Sequence, residues 1–268
     1  MKNITSLVFV ILFCIVHFSC KKESAGNDIV ETLPPVQTAV STNINANCAG
    51  FYKALPARYD STTKKYPLLV FLHGAGEMGN GTTDLSKVLS NAVPNLINNH
   101  LFPANFTAGG KNYSFIVISP QFIGWPSPAD VEAVVQYSIN NFRIDESRMY
   151  IAGLSMGGGA TWEYAALNAG KIAAIVPICG ASLPTTAKAQ SIAAANLPVW
   201  AFHNEDDYTV SVNVTKQYIS MINSFSPNPP AKMTIWPTGG HNAWTKASDP
   251  NYKEDNLNMY EWMLQYHR

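Results

Sequence analysis

The chain has 268 residues, 47% of them hydrophobic and 11% aromatic, enough to bury one sizeable core. Eighteen basic and eighteen acidic residues cancel, which excludes a partner recruited by net charge, whether nucleic acid or an anionic membrane.

In chain order, Lys2 precedes an apolar run from Leu7 to Val16, and Ser19-Cys20 closes it before Lys21-Lys22-Glu23. A positive start, a short apolar stretch and a small residue before the cut describe an export signal over residues 1–20. The run is too short to span a bilayer comfortably. Its closing cysteine resembles that of a bacterial lipoprotein signal, in which Cys20 is lipidated and becomes the mature N-terminus in the periplasm or at the cell surface. An ordinary cleaved signal is the alternative. Residues 21–47, polar and carrying Pro34-Pro35, read as a flexible tether, and 48–268 as one domain. Cys48 and Cys179 are the cysteines left in that domain. Spacing does not decide between a disulfide and two buried thiols.

Within the domain, Phe51 to Tyr59 reads as a first strand, with Pro56 marking a sheet edge. Tyr66 to Leu72 and Ser114 to Ser119 are continuous apolar runs, the pattern of strands buried on both faces. Ser127 to Phe142 predicts a helix, with Pro128 in its first turn and Val131, Val134, Val135 and Ile139 on one face. The strand Met149 to Ala152 then runs into Gly153-Leu154-Ser155-Met156-Gly157 and a helix ending near Gly170. Further strands are expected at Ile172 to Ile178, Pro198 to His203 and Met233 to Trp236. Helices are expected at Ala187 to Ala195, Val210 to Ile222 and Asn256 to His267. Alternating buried strands and helices imply an α/β fold whose mostly parallel sheet is covered on both faces. Active groups on such a sheet sit at the carboxyl ends of the strands.

The strand, glycine-flanked serine and helix at Ser155 form a nucleophile elbow. A serine needs a base to take its proton, and the base needs an acid to fix its tautomer. Gly239-Gly240-His241 follows the last strand and supplies the base. The preceding strand end, His203-Asn204-Glu205-Asp206-Asp207, supplies the acid: Asp207, just before a helix, is the choice and Asp206 the runner-up. The order Ser155, Asp207, His241 is that of an α/β-hydrolase. Charge stabilisation falls to the backbone N–H groups of Met156 and of Ala75, the latter in Leu72-His73-Gly74-Ala75-Gly76. His73 then holds its loop.

With these pieces in place, the chain resembles the secreted esterase branch of the α/β-hydrolases. That branch includes carboxylesterase/phospholipase-like proteins, predicted peptidases, and the feruloyl and acetyl-xylan esterases of carbohydrate esterase family one. The resemblance rests on His73-Gly74-Ala75-Gly76-Glu77, Ser119-Pro120-Gln121, Ser147-Arg148-Met149-Tyr150, the elbow and Gly240-His241, and covers about residues 50 to 268. It implies ester hydrolysis through an acyl-enzyme with neither metal nor organic cofactor. Gln121, Trp125 and Trp244 are the implied substrate contacts, the two tryptophans as walls for a sugar or aromatic acyl group. Core packing is the alternative for each tryptophan. A peptidase on the same three residues and a glycan-binding lipoprotein with a decayed site are the competing functions. Gly74-Ala75-Gly76-Glu77-Met78-Gly79 also satisfies a dinucleotide fingerprint, but the polar Asn80-Gly81-Thr82-Thr83 stands where its helix is required.

Overall fold

The computed structural model describes residues 30–268; the export signal, Cys20 and the first part of the tether lie outside the described residues. Eight strands form one sheet: β1 (Val36–Asn45), β2 (Cys48–Leu55), β3 (Tyr66–Leu72), β6 (Ile116–Gln121), β7 (Ile144–Leu154), β8 (Ala174–Ile178), β9 (Trp200–Asn204) and β10 (Lys232–Trp236). Their spatial order is β1-β2-β6-β3-β7-β8-β9-β10. β1, β2 and β6 pair antiparallel; from β6 through β3 to β10 every pairing is parallel. A small hairpin, β4 (Phe106–Ala108) and β5 (Lys111–Tyr113), stands apart and turns on Gly109-Gly110, both at positive φ.

The apolar runs are continuous because each central strand feeds two cores. Leu68, Val70 and Leu72 point to one face, where α2 (Pro128–Asn141), α3 (Met156–Asn168), α4 (Thr186–Ala194) and α5 (Asn213–Ser224) cover them. Leu69 and Phe71 point to the other, under α1 (Ala92–Asn98), α6 (Trp244–Ser248) and α7 (Met259–Met263). The β3 expectation matches its strand residue for residue. α2 begins as its sequence asks, with Ser127 capping Asp130 and Pro128 at the first position.

Several boundaries move. The expected tether does not reach 47, because Val36–Asn45 pairs with β2 and belongs to the sheet. β2 is consequently internal, and Pro56 lies just beyond it without marking an edge. The last helix shrinks to Met259–Met263: Asn258 caps it late, and Arg148 takes the carbonyl of Leu264 just past its end. Cys48 and Cys179 are both free and buried, so of the two alternatives the pair of thiols is the one present. Burial pushes each of them up to about 12. Among the described residues no helix is long and apolar enough to cross a membrane.

Candidate active site

β3, β7, β8, β9 and β10 are consecutive neighbours and parallel, so their carboxyl ends form one rim. Ser155, Asp207 and His241, far apart in sequence, each follow one of these ends and meet there.

Ser155 bridges β7 and α3 with φ 51° and ψ −113°, a left-handed conformation that strains any residue with a side chain. The turn closes only because its neighbours lack a β-carbon. One added to Gly157 would lie 2.1 Å from the Leu72 carbonyl oxygen, and one on Gly153 would lie 2.5 Å from that of Gly157. Ser155 Oγ lies 2.8 Å from His241 Nε2, and His241 Nδ1 lies 2.7 Å from Asp207 Oδ2.

The Asp207 side chain is fully enclosed and accepts four hydrogen bonds. Thr209 and Val210 N–H donate to Oδ1, and His241 and His203 to Oδ2. Burial pushes its carboxyl pKa up, but the hydrogen bonds from His241, Val210 and Thr209 outweigh that and hold it below the usual carboxylate range. His203 Nε2 also faces the Val210 carbonyl at 2.9 Å; a carbonyl only accepts, so this nitrogen carries the proton. Thr215 then donates to Nδ1. Burial keeps His203 neutral by lowering its pKa.

The other acidic groups of this segment do different work. Asp206 accepts from Gly240 N–H at 2.8 Å and Gly239 N–H at 3.3 Å, holding the loop that carries His241. Asn204 Nδ2 donates to the Gly240 carbonyl from the other side. Asn204 thus clamps the histidine loop. Glu205 pairs with Lys216 at the surface.

Among the described residues, neither the Ala75 nor the Met156 N–H has an acceptor in the protein. The turn Ala75–Glu77 lies beside the elbow: a β-carbon on Gly74 would be 3.6 Å from Ser155 Cβ. His73 is buried, donates from Nδ1 to the Gly74 carbonyl and accepts the Phe122 N–H on Nε2, tying two loops together. Burial lowers its pKa to about 4, partly opposed by the Gly74 bond. No long helix opens after Gly79, so the fingerprint there lacks the phosphate-binding context it requires.

A cleft of about 290 Å³ opens over Ser155, walled by Ala75, Leu154, Thr209, His241 and Trp244. Of the three expected substrate contacts, Trp244 lines it. Trp125, 55% exposed, lies on the loop after β6 and is not among its walls. Gln121 is fully buried: its amide holds Gly81 N–H and the Glu77 and Asp84 carbonyls, so it is a loop staple and the expected substrate contact is corrected. Glu77 and Asn91 also stand beside this site, and residue type and spacing assign neither a role there. Cys179, Asp207 and His241 bring ligand-type atoms within 4.8 Å of one another. They fit a metal poorly, because the thiol holds its proton at neutral pH and both imidazole nitrogens are engaged.

The chain is similar to known esterases in sequence and in fold. The family profile for phospholipases and carboxylesterases matches residues 59–248. Feruloyl esterase D of Neurospora crassa is 25% identical over 225 residues, 80% of this chain and 72% of that protein. A bifunctional acetylxylan esterase/xylanase of Neocallimastix patriciarum is 25% identical over 132 residues, and the match covers 49% of this chain but only 17% of that enzyme. Among solved structures, a feruloyl esterase module from Clostridium thermocellum complexed with sinapinate superposes with TM-score 0.61 at 19% identity, covering 90% of this chain and 93% of that one. A thermostable esterase gives TM-score 0.61 at 23% identity, with 87% of this chain and 63% of that one covered.

Proposed function

The chain belongs to the phospholipase/carboxylesterase family, and from that premise we propose that it hydrolyses carboxylic esters with Ser155 as nucleophile. Acyl groups on plant polysaccharide are the substrate class nearest its relatives. The carrying observation is the hydrogen-bonded line from Ser155 Oγ through His241 to Asp207, set at the mouth of a cleft.

The roles follow from which atoms donate and accept. Asp207 accepts a hydrogen bond from His241 Nδ1–H, which leaves Nε2 free to accept the Ser155 hydroxyl proton as Oγ bonds to the ester carbon. Charge that develops on the carbonyl oxygen is met by the Ala75 and Met156 N–H groups; each such donor is worth about 2.7–4 kcal/mol in the transition state. When the intermediate collapses, the carbon–oxygen bond to the alcohol breaks and His241 returns the proton to the departing oxygen. Water then attacks the acyl-serine with the same proton movements, releasing the acid and restoring Ser155. The contact among the three groups supports catalysis over a binding protein with a decayed site.

Purified protein is expected to cleave short-chain aryl esters. Ser155→Ala is expected to lose nearly all of that activity while keeping its thermal transition; full activity in the variant would overturn the nucleophile assignment. A panel of acetylated, feruloylated and peptide substrates separates the esterase reading from a peptidase on the same residues. We further propose an exported, lipid-anchored enzyme, from the segment ending at Cys20. Cys20→Ser is expected to release it from the membrane fraction, and an unchanged distribution would count against the anchor.

A further inference from the structure

Ala75 and His241 stand on loops that follow two different strands, β3 and β10, yet a continuous line of contacts joins them. Glu77 is buried, and its Oε2 accepts the Gly74 N–H at 2.7 Å. Its Oε1 accepts from Asn91 Nδ2 at 2.5 Å. Asn91 Oδ1 in turn accepts the indole N–H of Trp244 at 3.1 Å, across 153 residues of sequence. The Trp244 ring stands edge-on to His241, centroids 5.4 Å apart and planes at 86°. The direction of each bond is fixed by chemistry: an indole N–H only donates and an ionised carboxylate only accepts, so the Asn91 amide has one permitted orientation between them.

We infer that Glu77 and Asn91 are positioning residues that set two halves of the site against each other. Glu77 fixes the Gly74 amide and with it the turn that aims the Ala75 N–H. Asn91 holds the Trp244 indole, which limits how the His241 ring can swing away from Ser155. Because its N–H is turned inward to Asn91, the indole presents only carbon to the cleft. Glu77 borders the cleft, but its carboxylate is held by Gly74 and Asn91, and Asn91 is not among the cleft's walls; both act through groups nearer the reaction. The inference rests on the serine-esterase reading above and assigns it a support that the Ser155, Asp207 and His241 contacts do not contain.

The polarity of the line gives a decisive test. In Glu77→Gln the amide can accept from Gly74 or from Asn91 but not from both, and its own donors face a donor. In Asn91→Asp two carboxylates meet. In the double variant Glu77→Gln/Asn91→Asp complementarity returns: the amide now at position 77 donates to the carboxylate now at position 91 and still accepts from Gly74, while that carboxylate still accepts from Trp244. Each single variant is expected to lose kcat by about 10²-fold, the scale of an ångström-sized misplacement, with KM changed less than about threefold. The double variant is expected to recover kcat to within about threefold of wild type. The rate at which a fluorophosphonate labels Ser155 should follow the same pattern, and Trp244→Phe, which removes only the indole N–H and ring area, should lower both rates even where a Glu77 variant fails to fold. Singles that keep wild-type kcat with intact folds, or a double as impaired as the worse single, would overturn the positioning role alone. A wild type whose Ser155 reacts with neither ester nor fluorophosphonate would remove the underlying reading and the inference with it.

Discussion

Asp207→Asn removes one charge and adds two donors at an oxygen pair that accepts four hydrogen bonds. Two main-chain N–H groups, of Thr209 and Val210, point at the Oδ1 position, so the carbonyl oxygen of the new amide settles there. Its NH₂ then faces His241 Nδ1. The imidazole must accept at Nδ1 and carry its proton on Nε2, where it points a donor at the Ser155 hydroxyl and cannot take that proton. Loss of the correct tautomer costs kcat about 10⁴-fold, or about 5.5 kcal/mol of barrier. The His203 N–H loses half of its shared acceptor but keeps the Val210 carbonyl, so stability should fall by only about 1–3 kcal/mol. Steady-state hydrolysis of an aryl ester at neutral pH, beside a thermal melt of the same preparation, separates the two effects. Asp206→Asn is the control: it retains an acceptor for Gly240 N–H, and its loss should stay below about tenfold, one hydrogen bond's worth. An Asp207→Asn enzyme within about tenfold of wild type, or one that Asp206→Asn matches, would refute the reasoning.

Acid should destabilise the fold through its buried histidines. With His73 lowered to about 4, the unfolded chain binds a proton between about pH 6.5 and 4 that the native state excludes, so stability falls as pH drops through that window. The full cost is about 3 kcal/mol, and His203, lowered for the same reason, adds in the same direction. Asp207, held low in the native state, adds its loss at still lower pH as it protonates. His73→Gln, which can still donate to Gly74 and accept from Phe122, should flatten part of this slope in urea titrations at about pH 7, 5.5 and 4.5; an unchanged slope would show that His73 does not titrate as its burial requires. Gly157→Ala should cost about 1–3 kcal/mol, because its methyl group would meet the Leu72 carbonyl and the elbow must shift. An unaltered denaturation midpoint with full activity would contradict that close approach. Cys48 and Cys179 should stay inert to thiol reagents in the native protein and both react in denaturant without reductant; a peptide linking them by a disulfide would disprove the two-thiol arrangement.

The strands of the parallel set were legible because burial on both faces writes an unbroken apolar run, as in Tyr66–Leu72. β1 was not. Its residues alternate between exposed and half-buried, and a polar strand with a Pro34-Pro35 lead-in has the composition of a tether. The β4–β5 hairpin had a signal in Gly109-Gly110, but its three-residue arms are too short to show a period. The five-residue α6 carries no amphipathic stripe for the same reason, whereas α7 falls inside the helix expected over Asn256 to His267. The substrate contact that the resemblance implies at Gln121 fails because the Glu77 and Asp84 carbonyls have closed over its amide, a matter of packing that residue type does not show.

Sequence alone determined the chemistry that could be placed here: the elbow around Ser155, a histidine after the last strand, an acid before α5, and the periodicity of a layered α/β fold. Those are local properties, written in residue type and spacing. Tertiary structure decided which of two adjacent carboxylates the imidazole touches, that Asp206 and Asn204 hold the loop while Asp207 holds the ring, and that Glu77, Asn91 and Trp244 form one line. Such choices turn on ångström-scale direction across a shared rim, and residues 153 positions apart leave no trace of that direction in their order.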